Sequence, residues 1–216
     1  MLVHWYTVLL PLFTAVIAII NYRSLNTSLK FLFLYTILGV LSEFSNFLLV
    51  KVYSTTSMPL GNIYFFLSFL LLGIYFMHVF KGFIKRKYII ALIVVYELAF
   101  IANLVLVQSI NEYPTVLKGI SDIFLFSLAG VFFHKTMIEA KIDSIWKEPL
   151  VYANLGILLY FSGSLFYSIL FNLVLEYAPE FTNFSQNYFY VLNGFFYLLI
   201  AIAFWIMGRQ KKEVTN

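Results

Sequence analysis

The chain contains seven long, uninterrupted runs of apolar residues, and no other feature restricts its possible folds as strongly. The runs cover roughly residues 3–21, 29–50, 59–80, 88–108, 115–134, 149–175 and 185–207. Each run is close to the length of about 20 residues that an α-helix needs to cross a bilayer. Their apolar residues are continuous rather than alternating, which favours helices over a β-barrel. The sequence therefore predicts an all-α polytopic membrane protein with seven transmembrane helices.

The polar residues are too few for any other class of protein. Only 11% of the 216 residues are charged and 62% are hydrophobic, whereas a soluble domain carries about 25% charged residues. The first apolar run has no basic residue before it, so we interpret it as a retained helix rather than a secretory signal. The connectors are short. We therefore predict a single transmembrane domain over residues 1–207 and a short basic cytoplasmic tail over residues 208–216.

The lysines and arginines predict the orientation of the chain. All but two of the 14 flank the first, third and fifth connectors or lie in the tail. Only Lys51 and Lys118 fall on the opposite side. Basic residues concentrate on the cytoplasmic side of a membrane protein. We therefore predict an external amino terminus and a cytoplasmic carboxy terminus, in the cytoplasmic (inner) membrane of a bacterium.

The first three and the last three predicted helices share short segments, which suggests an internal repeat. The segments 12–14, 38–45 and 62–67 align with 125–127, 155–162 and 187–192, respectively. Both triplets begin on the outside, so the repeat is parallel and follows a 3+1+3 plan in which the fourth helix is the link. Chance alignment of segments rich in leucine and phenylalanine is the alternative interpretation.

Three carboxylates lie within the predicted spans, where charged side chains are expensive and face the protein interior. They are Glu43, Glu97 and Asp122. Glu43 shares a helix face with Gly39 and Asn46 and lies about 20 Å along the helix from Lys30, in the outer third of the membrane. Glu97 is close to mid-membrane, and its role stays open between a buried protonated acid, a proton path and an oligomer contact.

The remaining polar residues of the spans also gather towards the predicted outer side. Lys118 and Asp122 are spaced i, i+4 and can pair along one helix. We predict an outward-facing ligand site together with an ion-pair or coupling role for two further residues. The predicted ligand site comprises Glu43, Asn46, Asn62, Asp122, Asn187 and Asn193, and the coupling residues are Lys118 and Glu97. Interhelical hydrogen bonding that only holds the bundle together is the alternative.

The chain lacks the usual residues of several kinds of chemistry. It has no cysteine and only three histidines, and these show no metal-ligand spacing. Nucleophile-elbow and phosphate-loop motifs are also absent. We therefore predict a protein that is not an enzyme, with no metal site, no cofactor and no nucleic-acid partner.

The last two predicted helices carry a resemblance to a known group of proteins. The segments are Ile145-Trp146, 154–166, Tyr188-Phe189, Leu192-Asn193 and 198–205. They resemble small seven-helix membrane proteins of Bacteroidota that form, or lie next to, the membrane sensor region of histidine kinases. The sequence carries no kinase domain, so the resemblance implies signalling through a partner such as a histidine kinase. The 3+1+3 plan resembles SWEET and PQ-loop transporters, whose Pro-Gln signature is missing here.

Two functions follow from these patterns. The first is a receptor-like sensor module that binds a small ligand from the outer side and signals through a partner protein. The second is a small-solute transporter of SWEET or PQ-loop-like architecture. A transporter needs a polar route on both sides of the membrane, and the inner halves of the predicted helices are mostly aliphatic and aromatic. This difference favours the sensor.

Overall fold

The computed structural model describes residues 3–139, 145–177 and 181–215. These residues form seven α-helices and no β-strand, which confirms the predicted all-α class. The helices are α1 (Val3–Ile20), α2 (Thr27–Phe47), α3 (Met58–Val79), α4 (Arg86–Leu106), α5 (Thr115–Glu139), α6 (Pro149–Tyr177) and α7 (Thr182–Thr215). One π-helical turn, Leu48–Val52, continues α2.

The helices begin where the local sequence favours a helix start. The side chain of Asn26 accepts a hydrogen bond from the Leu29 N–H at 2.9 Å and thereby caps α2. A proline lies in the first turn of both α3 and α6, where its missing N–H costs nothing. Six of the helices, α2 to α7, are long and apolar enough to cross a membrane, and α1 adds the shorter apolar stretch Val8–Ile20. The chain is thus a helical membrane protein, while its sidedness and its internal repeat stay predictions.

Six of the seven helices close into a ring, and the remaining one lies outside it. Around the ring α1 packs on α2, α2 on α3, α3 on α5, α5 on α6, α6 on α7 and α7 on α1. Helix α4 packs against the outer side of α3, and its opposite face exposes apolar side chains such as Val95, Leu98 and Val105. An exposed apolar face of this kind suits contact with lipid.

One half of the ring is filled with tightly packed apolar side chains. This half contains the start of α2 and the end of α3, and the charge distribution predicts that it faces the cytoplasm. Its buried residues include Leu29, Leu32, Leu72, Tyr75, Phe76, Phe80, Phe132 and Phe204. Among the few buried polar groups in this half, the amide of Asn154 donates to the Tyr75 hydroxyl at 2.7 Å and to the Leu150 carbonyl at 2.8 Å. The predicted inner half is therefore mostly apolar.

Helix α7 is longer than the sequence predicted. The segment expected to be a tail continues the helix without a break to Thr215. Its residues are mostly arginine, lysine, glutamine and glutamate, which are good helix formers. The Gln210 amide donates to the Lys147 carbonyl at 2.5 Å, and the Lys211 ammonium donates to the Arg23 carbonyl at 2.8 Å. Both bonds attach the end of α7 to neighbouring connectors.

Candidate functional site

A buried ion pair lies between α5 and α6 in the half of the bundle predicted to face outwards. The Lys118 ammonium donates to Asp122 Oδ1 at 2.5 Å and to Ser164 Oγ at 2.7 Å, and Ser164 donates to Asp122 Oδ2 at 2.9 Å. The three side chains are 5%, 0% and 1% exposed, respectively. We call Lys118, Asp122 and Ser164 the ion-pair cluster. The opposite charges of Lys118 and Asp122 cancel, and the hydrogen bonds of both residues to Ser164 connect α5 to α6.

Aromatic side chains enclose the ion-pair cluster. The Lys118 ammonium lies 5.8 Å from the ring centre of Phe65 and 5.7 Å from that of Phe161, within the range of cation–π attraction. Tyr113, in the connector between α4 and α5, packs its ring edge-on against Phe65 at 5.4 Å. Burial, and to a smaller extent the nearby Asp122 carboxylate, raise the pKa of Tyr113, so its hydroxyl stays protonated and able to donate.

A second polar group consists of tyrosines from four helices. We call Tyr35, Tyr64, Tyr160 and Tyr197 the tyrosine cluster. The hydroxyls of Tyr35 and Tyr64 are 3.2 Å apart. Tyr160 lies within electrostatic reach of Tyr64, Tyr197 and Asp122, which belong to both clusters. Hydroxyls both donate and accept hydrogen bonds, which lets this cluster adapt to either kind of ligand atom.

Glu43 lies at the edge of the tyrosine cluster rather than beside the ion pair. Its carboxyl group is partly exposed and within electrostatic reach of the hydroxyls of Tyr64, Tyr190 and Tyr197. The side chain of Tyr197 reaches from α7 to α2 at this level, because a Cβ atom on Gly39 would collide with the Tyr197 hydroxyl. The ion-pair cluster, the tyrosine cluster and Glu43 together are termed the polar core.

The asparagines of the predicted ligand site occupy different environments. The buried Asn62 amide donates to the carbonyls of Ile110 at 2.7 Å and Glu112 at 3.2 Å, and so it fixes the connector between α4 and α5. Asn46 and Asn187 are exposed, and Asn193 is half-buried on α7. The structure thus brings Asp122 and Glu43 into one polar core, whereas Asn62 is engaged by backbone. That these residues bind a ligand stays a prediction.

Glu97 stands apart from the polar core, on the peripheral helix α4. Its side chain is 8% exposed, and neither carboxyl oxygen has a hydrogen-bond partner among the described residues. Its neighbour Tyr96 packs on Phe69 with ring centres 3.8 Å apart and donates to the Leu117 carbonyl at 3.3 Å. Within the described part of the chain, no three histidine, cysteine or acidic side chains come together as a metal site would require.

The predicted set of ligand-site residues omitted Ser164 and all four members of the tyrosine cluster. A signal for both was present in the helix periodicity. Tyr35 lies one turn before Gly39 and extends the polar face that leads to Glu43, and Tyr160 lies one turn before Ser164. Tyrosine and serine are common in apolar segments, so composition alone did not distinguish these positions from packing residues.

Comparisons with known proteins do not add a relative to this description. No protein-family model, no curated protein and no solved structure matches the chain. The residues and their arrangement are therefore the basis for inferring the function of the protein.

Proposed function

We propose that the protein is a receptor-like membrane sensor module that binds a small ligand in the polar core and signals through a partner protein. The observation that carries the proposal is the uneven distribution of polar groups within the bundle. The ion-pair cluster lies in the half predicted to face outwards and the tyrosine cluster lies near the middle of the bundle, whereas apolar side chains fill most of the other half. Such an arrangement favours binding from one side over passage across the membrane.

The ion-pair cluster is the part of the polar core that a ligand can alter most. A ligand that hydrogen-bonds to Lys118 or Asp122 competes with Ser164, whose hydroxyl bonds to both. Since Ser164 belongs to α6 and the other two residues to α5, this exchange changes how the two helices pack. A ligand shifts a conformational equilibrium only through such differential contacts. We therefore expect a small polar ligand with both donor and acceptor groups.

The signal would leave the bundle at the end predicted to be cytoplasmic. Helices α5, α6 and α7 all extend from the polar core to that end. A partner there is required, and a membrane-bound histidine kinase is the class that the resemblance of the last two helices implies. In this proposal the protein resides in the inner membrane of a bacterium and performs no catalysis itself.

A binding screen tests the sensor proposal. The purified protein in detergent is screened by thermal unfolding against a library of small polar metabolites, and a ligand is expected to raise the unfolding temperature. Ser164→Ala should strengthen binding of that ligand, because the variant removes the hydroxyl with which the ligand competes for Lys118 and Asp122. Ser162→Ala is the matched control, since the Ser162 hydroxyl donates only to the Leu159 carbonyl of its own helix at 3.0 Å. Equal affinity of the two variants for the ligand would argue against a site at the ion pair.

One feature of the ring favours the alternative, a small-solute transporter. Its packing order is unchanged when α1, α2 and α3 are exchanged with α5, α6 and α7, and α4 lies outside as a link helix would. A parallel 3+1+3 repeat predicts this order. The two functions can be distinguished in proteoliposomes when the ligand found by the screen is supplied on the outside. A sensor binds the ligand without accumulating it inside the vesicles. Saturable uptake would instead indicate that the protein is a transporter.

A further inference from the structure

A basic cavity lies at the opposite end of the bundle from the polar core, between the end of α3 and the start of α4. Its volume is about 590 Å³, and its walls include Met77, His78, Lys81, Phe83, Lys85 and Arg86. Volumes of about 300–1,000 Å³ are typical of small-molecule sites. No role in the polar core or in the proposed signalling uses this cavity.

The backbone of the α3–α4 connector shapes the cavity. Phe80 is fully buried and stacks on Phe76 at 5.6 Å, which anchors the connector at its start. The carbonyl of Phe80 then accepts hydrogen bonds from the N–H groups of Phe83 at 2.9 Å and Ile84 at 3.1 Å. Gly82 turns the chain with a φ of 84°, a conformation that favours glycine. The charged side chains therefore project from a firmly folded turn.

Three cations face the cavity without a carboxylate to balance them. Lys81, Lys85 and Arg86 form no ion pair with any acidic side chain in the described part of the chain. Arg86 donates a hydrogen bond from Nε to the sulfur of Met77 at 3.0 Å, which leaves its positive charge unbalanced. A fourth cation is close by, because Lys135 donates to the Val79 carbonyl at 2.7 Å. The local charge is strongly positive.

The position of the cavity selects among anionic ligands. It lies where the apolar span Met58–Val79 ends and the span Arg86–Leu106 begins, which is the depth of the lipid headgroups. Beside it, Phe83, Tyr88 and Ile90 expose apolar surface along the edge of α3 and α4. A ligand that carries both a phosphate and acyl chains can thus contact the cations and the apolar surface together. Clusters of lysine and arginine beside spans on the cytoplasmic side commonly bind anionic lipids.

We propose that this cavity is a binding site for the phosphate headgroup of an anionic phospholipid of the cytoplasmic leaflet. Lys81, Lys85 and Arg86 contact the phosphate, and the acyl chains lie against Phe83 and the exposed face of α4. The site is independent of the ligand site in the polar core, so either can exist without the other.

Native mass spectrometry of the detergent-purified protein tests the proposal, with phosphatidylglycerol and phosphatidylcholine as probes. We expect one phosphatidylglycerol to bind more tightly than phosphatidylcholine. Arg86→Gln should weaken that binding about fivefold, the effect of one basic residue near a membrane surface. The triple variant Lys81→Gln/Lys85→Gln/Arg86→Gln should abolish the preference. All these residues are exposed, so the variants are expected to fold.

A second triple variant controls for general surface charge. Arg23→Gln/Lys147→Gln/Arg209→Gln removes the same charge from exposed positions outside the cavity, at the same predicted face. It should retain the preference for phosphatidylglycerol. Equal loss in both triple variants would overturn the proposal in favour of diffuse charge attraction. Glycerol 1-phosphate, the headgroup without acyl chains, should not displace the lipid. Displacement at equal concentration would identify a soluble phosphate ligand and overturn the lipid assignment.

Discussion

The ammonium group of Lys118 is separated from water and depends on two side chains for its stability. Burying an isolated charge costs several kcal/mol, and only a close partner with additional hydrogen bonds offsets that cost. Asp122 is that partner, and Ser164 satisfies one further position on each of the two charged groups. Removing one member of the pair therefore leaves a buried charge without a partner, whereas removing both members leaves no buried charge.

We predict that Lys118→Met destabilises the folded protein by about 3–5 kcal/mol, because it leaves the Asp122 carboxylate buried without a cation. The double variant Lys118→Met/Asp122→Leu should recover most of this loss. Unfolding of the purified variants by denaturing detergent measures both changes. A double variant less stable than the single one would contradict the interpretation of Asp122 as a charge held mainly by Lys118.

Glu148 gives a pH-dependent prediction outside the spans. Burial raises the pKa of its carboxyl group, and a hydrogen bond from the Leu150 N–H opposes this only in part. A carboxyl group whose pKa is higher in the folded state stabilises the protein at low pH. That contribution is lost as the pH rises through the folded-state pKa. The ionised form of Glu148 is therefore the less favourable one in the folded protein.

The expected comparison is between the wild type and Glu148→Gln, which cannot ionise. As the pH falls from about 8 to about 4, the wild type should gain stability relative to the variant. Thermal unfolding of both proteins across this range measures the difference and cancels the effect of the other carboxylates. A difference that does not change with pH would show that Glu148 has the same pKa in the folded and unfolded states.

At the scale of the elements, α2 and α7 meet through the Tyr197 side chain, whose hydroxyl lies against Gly39. Tyr197 is buried, so its ring has little room to move away from an added methyl group. Thr14 of α1 donates to the Tyr197 carbonyl at 3.0 Å and holds the same part of α7 from another side. The geometry of the tyrosine cluster thus depends on the absence of a side chain at residue 39.

We predict that Gly39→Ala destabilises the protein by about 1–3 kcal/mol, the usual cost of an additional group in a filled core. Tyr197→Phe in the same background should relieve part of this cost, because the collision is with the hydroxyl. Gly130→Ala on α5 is the matched control, since its new methyl group would meet open space. The prediction fails if both alanine variants have the same stability in detergent unfolding.

The elements could be predicted from the sequence far better than their partners could. The run at residues 59–80 became α3 over Met58–Val79, because the transfer of each apolar side chain into lipid is a local property. Asn62 lies on that helix as expected, yet its amide bonds to the carbonyls of Ile110 and Glu112. Periodicity identifies the face of a helix on which a residue lies. Which neighbour meets that face depends on the packing order of the ring, and no local pattern contains it.

At the scale of the whole molecule, the orientation in the membrane is open to direct measurement. Reporter fusions after Lys87 and Lys212 should indicate the cytoplasm, and fusions near Ser54 and Glu112 the outside, because basic residues stay on the cytoplasmic side. Alkaline phosphatase and a fluorescent protein are suitable reporters, each active on one side only. An external carboxy terminus would reverse the orientation and would place the basic cavity in the opposite leaflet.

The length of α7 has a mechanical consequence for the whole molecule. Its 34 residues span about 51 Å at the usual rise per residue, whereas the apolar interior of a bilayer is about 30 Å thick. A continuous helix resists twisting, so a small rotation of α7 at Tyr197 turns the end of the helix near Gln210 by a similar angle. The hydrogen bonds of Gln210 and Lys211 then resist this rotation. Inserting a few alanines between Trp205 and Gln210 would turn the end of the helix by about 100° per residue and would break both contacts.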